Sequence, residues 1–160
     1  MDETIKRRLA TEWKKLAAGS VFSVQDFSVA LSKRQFLSFL SAYLDQGEVS
    51  QVVPNIYYKI KFSNLFNPPR ALPPDLSKVL AAITRLTGKI FQYDGGYCAN
   101  RLGLSTQIPL YHVLHTSGRS RRFKLAGVDV VLNHMDVKLI KAIKDQLSLE
   151  EYAKLLSADF

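Results

Sequence analysis

The stretch from Ser32 to Tyr58 restricts the fold of this chain more than any other part of it. Between Lys33 and Gln46, Phe36, Leu37, Leu40, Tyr43 and Leu44 recur at i, i+3, i+4 and i+7 spacing. That spacing makes one apolar stripe on a helix. Lys33, Arg34, Gln35, Ser38 and Ser41 fall on the opposite side. Gly47 stops the helix, and Val49, Val52, Val53, Ile56, Tyr57 and Tyr58 follow. Pro54-Asn55 breaks this β-rich run, which predicts two short strands joined by a tight turn.

Two more helices are expected upstream. Ile5, Leu9, Trp13 and Leu16 form a helical stripe between about Asp2 and Ala17, and Gly19 ends it. Ser23 and Asp26 have the spacing of a capping box that opens a short second helix. Ser32 and Gln35 repeat that spacing at the start of the third. Two caps so close together require a sharp turn between helices two and three, as in a helix-turn-helix. The order helix, helix, helix, hairpin is that of a winged helix, which usually places its third helix in the DNA major groove. On this reading Ser32, Lys33, Arg34, Gln35, Ser38 and Ser41 face DNA from the helix. Gln51 and Asn55 face it from the hairpin, and Lys59 and Lys61, at the hairpin's end, touch phosphate.

Four of the six prolines lie in the Asn67–Pro74 stretch. Such density favours a stiff extended linker, and the domain boundary is placed there; the alternative is a rigid loop inside one domain. The expected domains are residues 1–66, a winged helix, and residues 67–160, a small α+β domain with a β-hairpin and C-terminal helices. Within the second domain Val79, Leu80, Ile83 and Leu86 mark a helix over Asp75 to Thr87. Strands are expected over Lys89 to Tyr93 and Leu110 to His115. Arg121 to Leu125 and Val128 to Leu132 form a hairpin across Ala126-Gly127. Between the first two strands, a short helix ends at Gly103. Asp136 caps a helix bearing Val137, Ile140, Ile143 and Leu147. Ser148 and Glu151 form a box for a last short helix.

The net charge of +8 favours an anionic partner, nucleic acid or an acidic protein. Residues 67–135 carry nine Lys and Arg against three Asp and Glu, whereas residues 1–66 carry nine against six. Arg119, Arg121, Arg122 and Lys124 concentrate that charge on the hairpin. Phe123 and Leu125 should point to the core, with Arg122 and Lys124 on the solvent face. This cluster is read as a partner-binding surface, or else as a charged edge that prevents sheet-to-sheet aggregation.

Residues for catalysis or metal binding are scarce. His112 and His115 are three apart in an expected strand and so face opposite sides. His134 is isolated. The single cysteine, Cys98, excludes an internal disulfide and fits a reducing compartment. Thr87-Gly88-Lys89 ends like a phosphate-binding loop but lacks the upstream glycine. Neither a secretory signal nor a membrane span is read from the sequence, and a cytoplasmic protein is expected.

Over about Gly19 to His134 the chain resembles the AbiEi-type antitoxins of type IV toxin–antitoxin systems. The residues that carry the likeness are Gly19-Ser20-Val21-Phe22-Ser23, Asp26-Phe27, Gly47-Glu48-Val49 and Ile56-Tyr57-Tyr58. The more specific match is Asn100-Arg101-Leu102-Gly103-Leu104-Ser105-Thr106-Gln107-Ile108-Pro109. The resemblance implies a transcriptional regulator whose winged helix binds repeats in its own promoter. It further implies a C-terminal domain that counters a nucleotidyltransferase-like toxin, with no enzymatic activity and no cofactor. An inverted repeat in double-stranded DNA would take two copies. Val53-Pro54-Asn55 stands where the family's wing usually has an arginine and a glycine, and a wing without arginine makes fewer phosphate contacts. The alternative function is a protein-interaction adaptor or inhibitor that does not bind DNA.

Overall fold

The computed structural model describes residues 1–94, Gly103 and residues 111–146, with side chains through residue 142. Cys98, most of the Asn100–Pro109 motif, the short helix before Gly103 and the last helix at Ser148 lie outside the described residues. The chain divides into two compact units, Met1–Thr87 and Gly88–Phe160. Both mix helices and strands, as an α+β fold requires.

The first unit begins with α1 (Glu3–Lys15), β1 (Val21–Phe22) and a single 3-10 turn (Val24–Asp26). It continues with α2 (Lys33–Asp45), β2 (Val49–Val53) and β3 (Ile56–Lys59). Both expected capping boxes form. The Ser23 hydroxyl accepts from the Gln25 amide, and Asp26 Oδ2 accepts from the Ser23 amide. The Ser32 hydroxyl accepts from the Gln35 amide at 3.2 Å, and Gln35 Oε1 accepts from the Ser32 amide at 3.0 Å. The second helix is shorter than expected because Phe27 already has extended backbone. β1, β3 and β2 form a three-stranded antiparallel sheet in that order. Pro54 and Asn55 join β2 to β3, with Asn55 at φ 67°, the left-handed region that asparagine tolerates.

The core of this unit is aromatic. Leu9 and Trp13 from α1, Phe22 from β1, Phe27, Phe36 and Leu40 from α2 and its approach, and Val49 and Tyr57 from the sheet are all buried together. The stripe expected on α2 needs one correction. Leu37 is exposed, and Phe39 packs inward against Trp13, Phe27 and Tyr43. With Phe36 and Leu40 as the centre, Phe39 and Tyr43 complete the stripe at i+3 and i+7 spacing.

The expected domain boundary at Pro68–Pro74 falls inside the first unit. β4 (Phe62–Ser63) and β5 (Arg70–Ala71) pair as a small ribbon there. The helix after the prolines, α3 (Leu76–Thr87), packs on β1 and β3. Ile56, Tyr57 and Tyr58 are buried in succession, so β3 is covered on both faces. α1 and α2 cover one face and α3 the other, and the sheet would lose half its cover without α3. Arg85 of α3 also forms an ion pair with Asp26 at 2.7 Å and donates to the Val21 carbonyl. Counted by these units, the first holds twelve Lys and Arg against seven Asp and Glu, and the second ten against seven. The excess positive charge thus lies mainly in the first unit, the reverse of the expected balance.

The second unit holds β6 (Phe91–Tyr93), β7 (Tyr111–Thr116), β8 (Arg121–Leu125), β9 (Val128–His134) and α4 (Val137–Gln146). The strands lie in the order β6-β7-β9-β8, and β7 runs parallel to β9. The β8–β9 hairpin turns across Ala126 and Gly127 as expected, both with positive φ. Leu114, Leu125, Val130 and Leu132 are buried, as is Ile140 of α4, which packs toward β6 and β7. Val137, expected inside, is 42% exposed.

Two substitutions test the orientation of α2. Phe36→Ala should destabilise the first unit by about 3–5 kcal/mol. Leu37→Ala should cost no more than about 0.5 kcal/mol, as an exposed position does. Equal losses in urea denaturation would mean that the helix is rotated from the arrangement above.

Candidate nucleic-acid interface

α2 presents Lys33, Arg34, Leu37, Ser38 and Ser41 on its exposed side. Arg34, Ser38 and Ser41 follow one another at i, i+4 and i+7 spacing, and Leu37 lies among them. The start of the helix cannot rotate freely, because the capping box fixes its first turn and the aromatic core fixes its inner side. The box also occupies two of the expected contact residues. The Ser32 hydroxyl and the Gln35 side-chain oxygen already serve the backbone, which leaves the Gln35 amide nitrogen as that side chain's other polar group. Ser41 donates to the Ser38 carbonyl at 2.8 Å and so is turned back on its own helix.

The approach to α2 is pinned to α1. Glu12 accepts from the Ser28 amide at 2.9 Å and from the Ser28 hydroxyl. These hydrogen bonds hold the Glu12 carboxyl below its ordinary range. Arg7, Arg8, Thr11 and Lys15 surround this link on a shallow surface. All three cations add positive charge beside the turn that leads into α2.

The hairpin meets the expectation only in part. Gln51 is exposed on the edge strand β2, and Asn55 is exposed at the tip. Lys61 is exposed past the end of β3, its side chain running beside Gly19. Lys59 is different. Its ammonium donates to the carbonyls of Trp13 at 2.9 Å and Leu16 at 2.8 Å and lies 4.2 Å from the Trp13 ring centre. It therefore caps the C-terminal end of α1, where the helix dipole favours a cation. Burial pushes its pKa below that of an ordinary lysine, with Glu48 acting in the opposite direction. Lys59 is a structural residue here and is removed from the phosphate contacts expected of it. No local signal marks this role, since a lysine one residue past a tyrosine pair reads equally well as a solvent-facing cation.

The second unit separates the four hairpin cations. In antiparallel pairing, opposed residues share a face. Phe123 opposes Val130, and Leu125 opposes Val128, on the inner face. Arg121 opposes Leu132 on that same face and lies 5.7 Å from the Phe123 ring centre. Arg122 opposes Val131, and Lys124 opposes Asp129, on the outer face. Arg119 belongs to the turn before β8. Arg121 is thus divided from Arg122 and Lys124 by the sheet, with Arg119 in the turn, and the four do not form one patch.

His112 and His115 lie in β7 on opposite faces, as their spacing predicts. Burial lowers the pKa of His112, and His115 lies 3.8 Å from Asp94. Among the described residues no three His, Cys, Asp or Glu side chains converge to hold a metal ion, and no helix is long and apolar enough to cross a membrane. Sequence reading also missed an apolar surface. Phe62, Leu65, Phe66 and Leu72 are exposed on and around the β4–β5 ribbon, Leu65 at 91%. A stretch taken for a linker offered no periodicity that could have revealed it.

One family model, described as a family of unknown function (DUF6088), matches residues 8–153. No curated protein and no solved structure matches the chain.

Lys59→Ala should destabilise the first unit by about 1–2 kcal/mol through loss of the helix-end contacts, whereas Lys61→Ala should be nearly neutral. Equal effects in thermal denaturation would remove Lys59 from the capping role. The Glu12 link gives a pH prediction. A carboxyl whose pKa is lowered by folding contributes stability above its unfolded value, near 4.5, and loses it as the pH falls through the folded value. Glu12→Gln should flatten that acid limb by less than about 1 kcal/mol, because the group is exposed to solvent. An unchanged limb in acid titration would contradict it.

Proposed function

The chain belongs to that family of unknown function, to which no activity is attached, and we propose that its first unit is a winged helix that binds double-stranded DNA through α2. The observation that carries this reading is the exposed side of α2. Lys33, Arg34, Leu37 and Ser38 stand at the N-terminal half of a helix that is fixed by a capping box and an aromatic core. A recognition helix meets base edges with that half, using arginine and polar side chains for the bases and apolar side chains for thymine methyl groups. β2 and β3 follow α2 as the wing. Lys61 and the cations around Glu12 supply phosphate contacts, which position the protein without reading sequence.

In this proposal the protein is a cytoplasmic transcriptional regulator of the antitoxin type. One module covers a short half-site, so two copies occupy an inverted repeat in its own promoter. The second unit counters a nucleotidyltransferase-like toxin through the outer face of the β8–β9 hairpin, where Arg122 and Lys124 would meet an acidic patch. Such charges steer association more than they set final affinity. No catalytic step is assigned to the chain.

A second reading is a protein-interaction adaptor. The exposed Phe62, Leu65 and Phe66 favour it, since large apolar side chains left in water mark interaction sites when they gather into a patch. Under that reading, changing Leu65 and Phe66 to serine abolishes the activity measured in cells, and Arg34→Ala does not.

Arg34→Ala should weaken binding to the upstream DNA by about 1–3 kcal/mol if the arginine contacts a base, and relax specificity at one position of each half-site. Footprinting should show two symmetric half-sites. Unchanged affinity, or one unrepeated site filled by one copy, would contradict the assignment. Arg122→Glu with Lys124→Glu should slow toxin capture and leave promoter binding intact. Equal association rates for the variant and the parent would make that face a solvated edge.

A further inference from the structure

The turn after β7 carries a cleft that the reading above leaves unused. Lys89, Ser117, Gly118, Arg119, Ser120 and His134 line it, and it is open to solvent. Three parts of the second unit meet there: Lys89 just before β6, the turn between β7 and β8, and the end of β9. Hydrogen bonds hold the turn on both sides. The Ser117 amide donates to the Ile90 carbonyl at 3.1 Å, and the Ile90 amide donates to the Ser117 hydroxyl at 3.0 Å. The Gly118 amide donates to the hydroxyl of Thr116, which is 1% exposed. The His134 amide donates to the Ser120 hydroxyl at 2.8 Å.

These bonds decide what the lining groups can offer a ligand. The hydroxyls of Ser117 and Ser120 each accept from a backbone amide, and each still has an O–H to donate. His134 Nδ1 lies 2.7 Å from the Gly118 carbonyl oxygen. A carbonyl oxygen only accepts, so Nδ1 carries a proton and ties the ring to the turn. Gly118 has a steric role. A Cβ there would lie 2.8 Å from Lys89 Cδ and 3.1 Å from Cε, so a residue without a side chain lets the Lys89 stem cross the turn. Arg119 adds a guanidinium, and among the described residues no acidic side chain lines the cleft.

We propose that this cleft binds a phosphate group carried by a larger ligand. Lys89 and Arg119 supply the positive charge, and the two serine hydroxyls donate hydrogen bonds. Arginine and lysine are the usual partners of phosphate oxygens, arginine through its planar fork. The cleft is too open to enclose a small molecule, so the bulk of the ligand stays outside it. Two sources share this chemistry: the terminal phosphate of a nucleotide and the backbone phosphodiester of a nucleic acid. The proposal does not depend on α2 reading DNA.

The test is an amide NMR titration of the full chain at constant ionic strength, using adenosine 5′-monophosphate, adenosine and a short DNA duplex as probes. The monophosphate, the duplex or both should shift the amides of Ser117, Gly118, Arg119, Ser120 and His134, and adenosine should not. A response to the monophosphate identifies a nucleotide phosphate. A response to the duplex alone, retained in the Arg34→Ala variant, identifies a backbone phosphodiester and separates this site from α2. Lys89→Gln combined with Arg119→Gln should weaken binding about tenfold or more. Gly118→Ala should also weaken it, with no change in charge, by displacing the lysine stem. No shift at these amides with either phosphate probe would overturn the proposal, as would shifts that the double variant leaves unchanged.

Discussion

The edge-to-face packing of aromatic rings in the first unit sets the position of everything around it. Trp13 meets Phe22 at 5.7 Å and Phe39 at 6.1 Å between ring centres, and Phe22 meets Phe27 and Phe36. Phe36 in turn meets Tyr57 on β3. Each such pair is worth about 0.5–1.5 kcal/mol beyond the area it buries. The larger consequence is geometric. Rings from α1, β1, the turn before α2, α2 itself and β3 interlock, so α2 has one rotation about its axis that fills the core. That rotation puts Lys33, Arg34, Leu37 and Ser38 outside. Lys59 extends the same arrangement, lying over the Trp13 ring while it closes the end of α1.

Much of this was legible in the sequence because it depends on local rules. Both capping boxes, the Gly47 stop, the Pro54-Asn55 turn and the Ala126-Gly127 hairpin need only neighbouring residues to form, and all are present. What failed depended on distant partners. Leu37 and Phe39 both fit an apolar stripe on α2. The choice between them was made by Trp13 and Phe27, which lie outside that helix. The prolines before α3 looked like a linker, yet the buried run Ile56-Tyr57-Tyr58 held the opposite signal. Three consecutive apolar residues in a strand call for cover on both faces, and α3 provides the second cover. The parallel pairing of β7 with β9 joins residues eighteen apart, and no local pattern encodes it.

The candidate site was less legible than the fold for a related reason. Sequence identifies cations but not where their charge is used. Lys59, read as a phosphate contact, closes a helix. Four cations within six residues, read as one surface, are divided by strand alternation and a turn. His134, read as isolated, lies against the Gly118 carbonyl in a cleft with Lys89 and Arg119. For Lys59 and His134 the deciding partner is remote in sequence, and charge density alone carries no direction.

α2 and the cations near it are proposed to form a surface for DNA. Its most direct measurement is the salt dependence of binding between the full chain and the DNA upstream of its own gene, compared with unrelated DNA. Counterion release makes log K fall linearly with log salt, by about 0.9 for each phosphate neutralised. Binding to the upstream DNA should be tighter, with a slope of about −3.6, from about 0.9 for each phosphate contact of Lys61, Arg7, Arg8 and Lys15. Equal affinity for both DNAs, or binding that salt leaves unchanged, would contradict it.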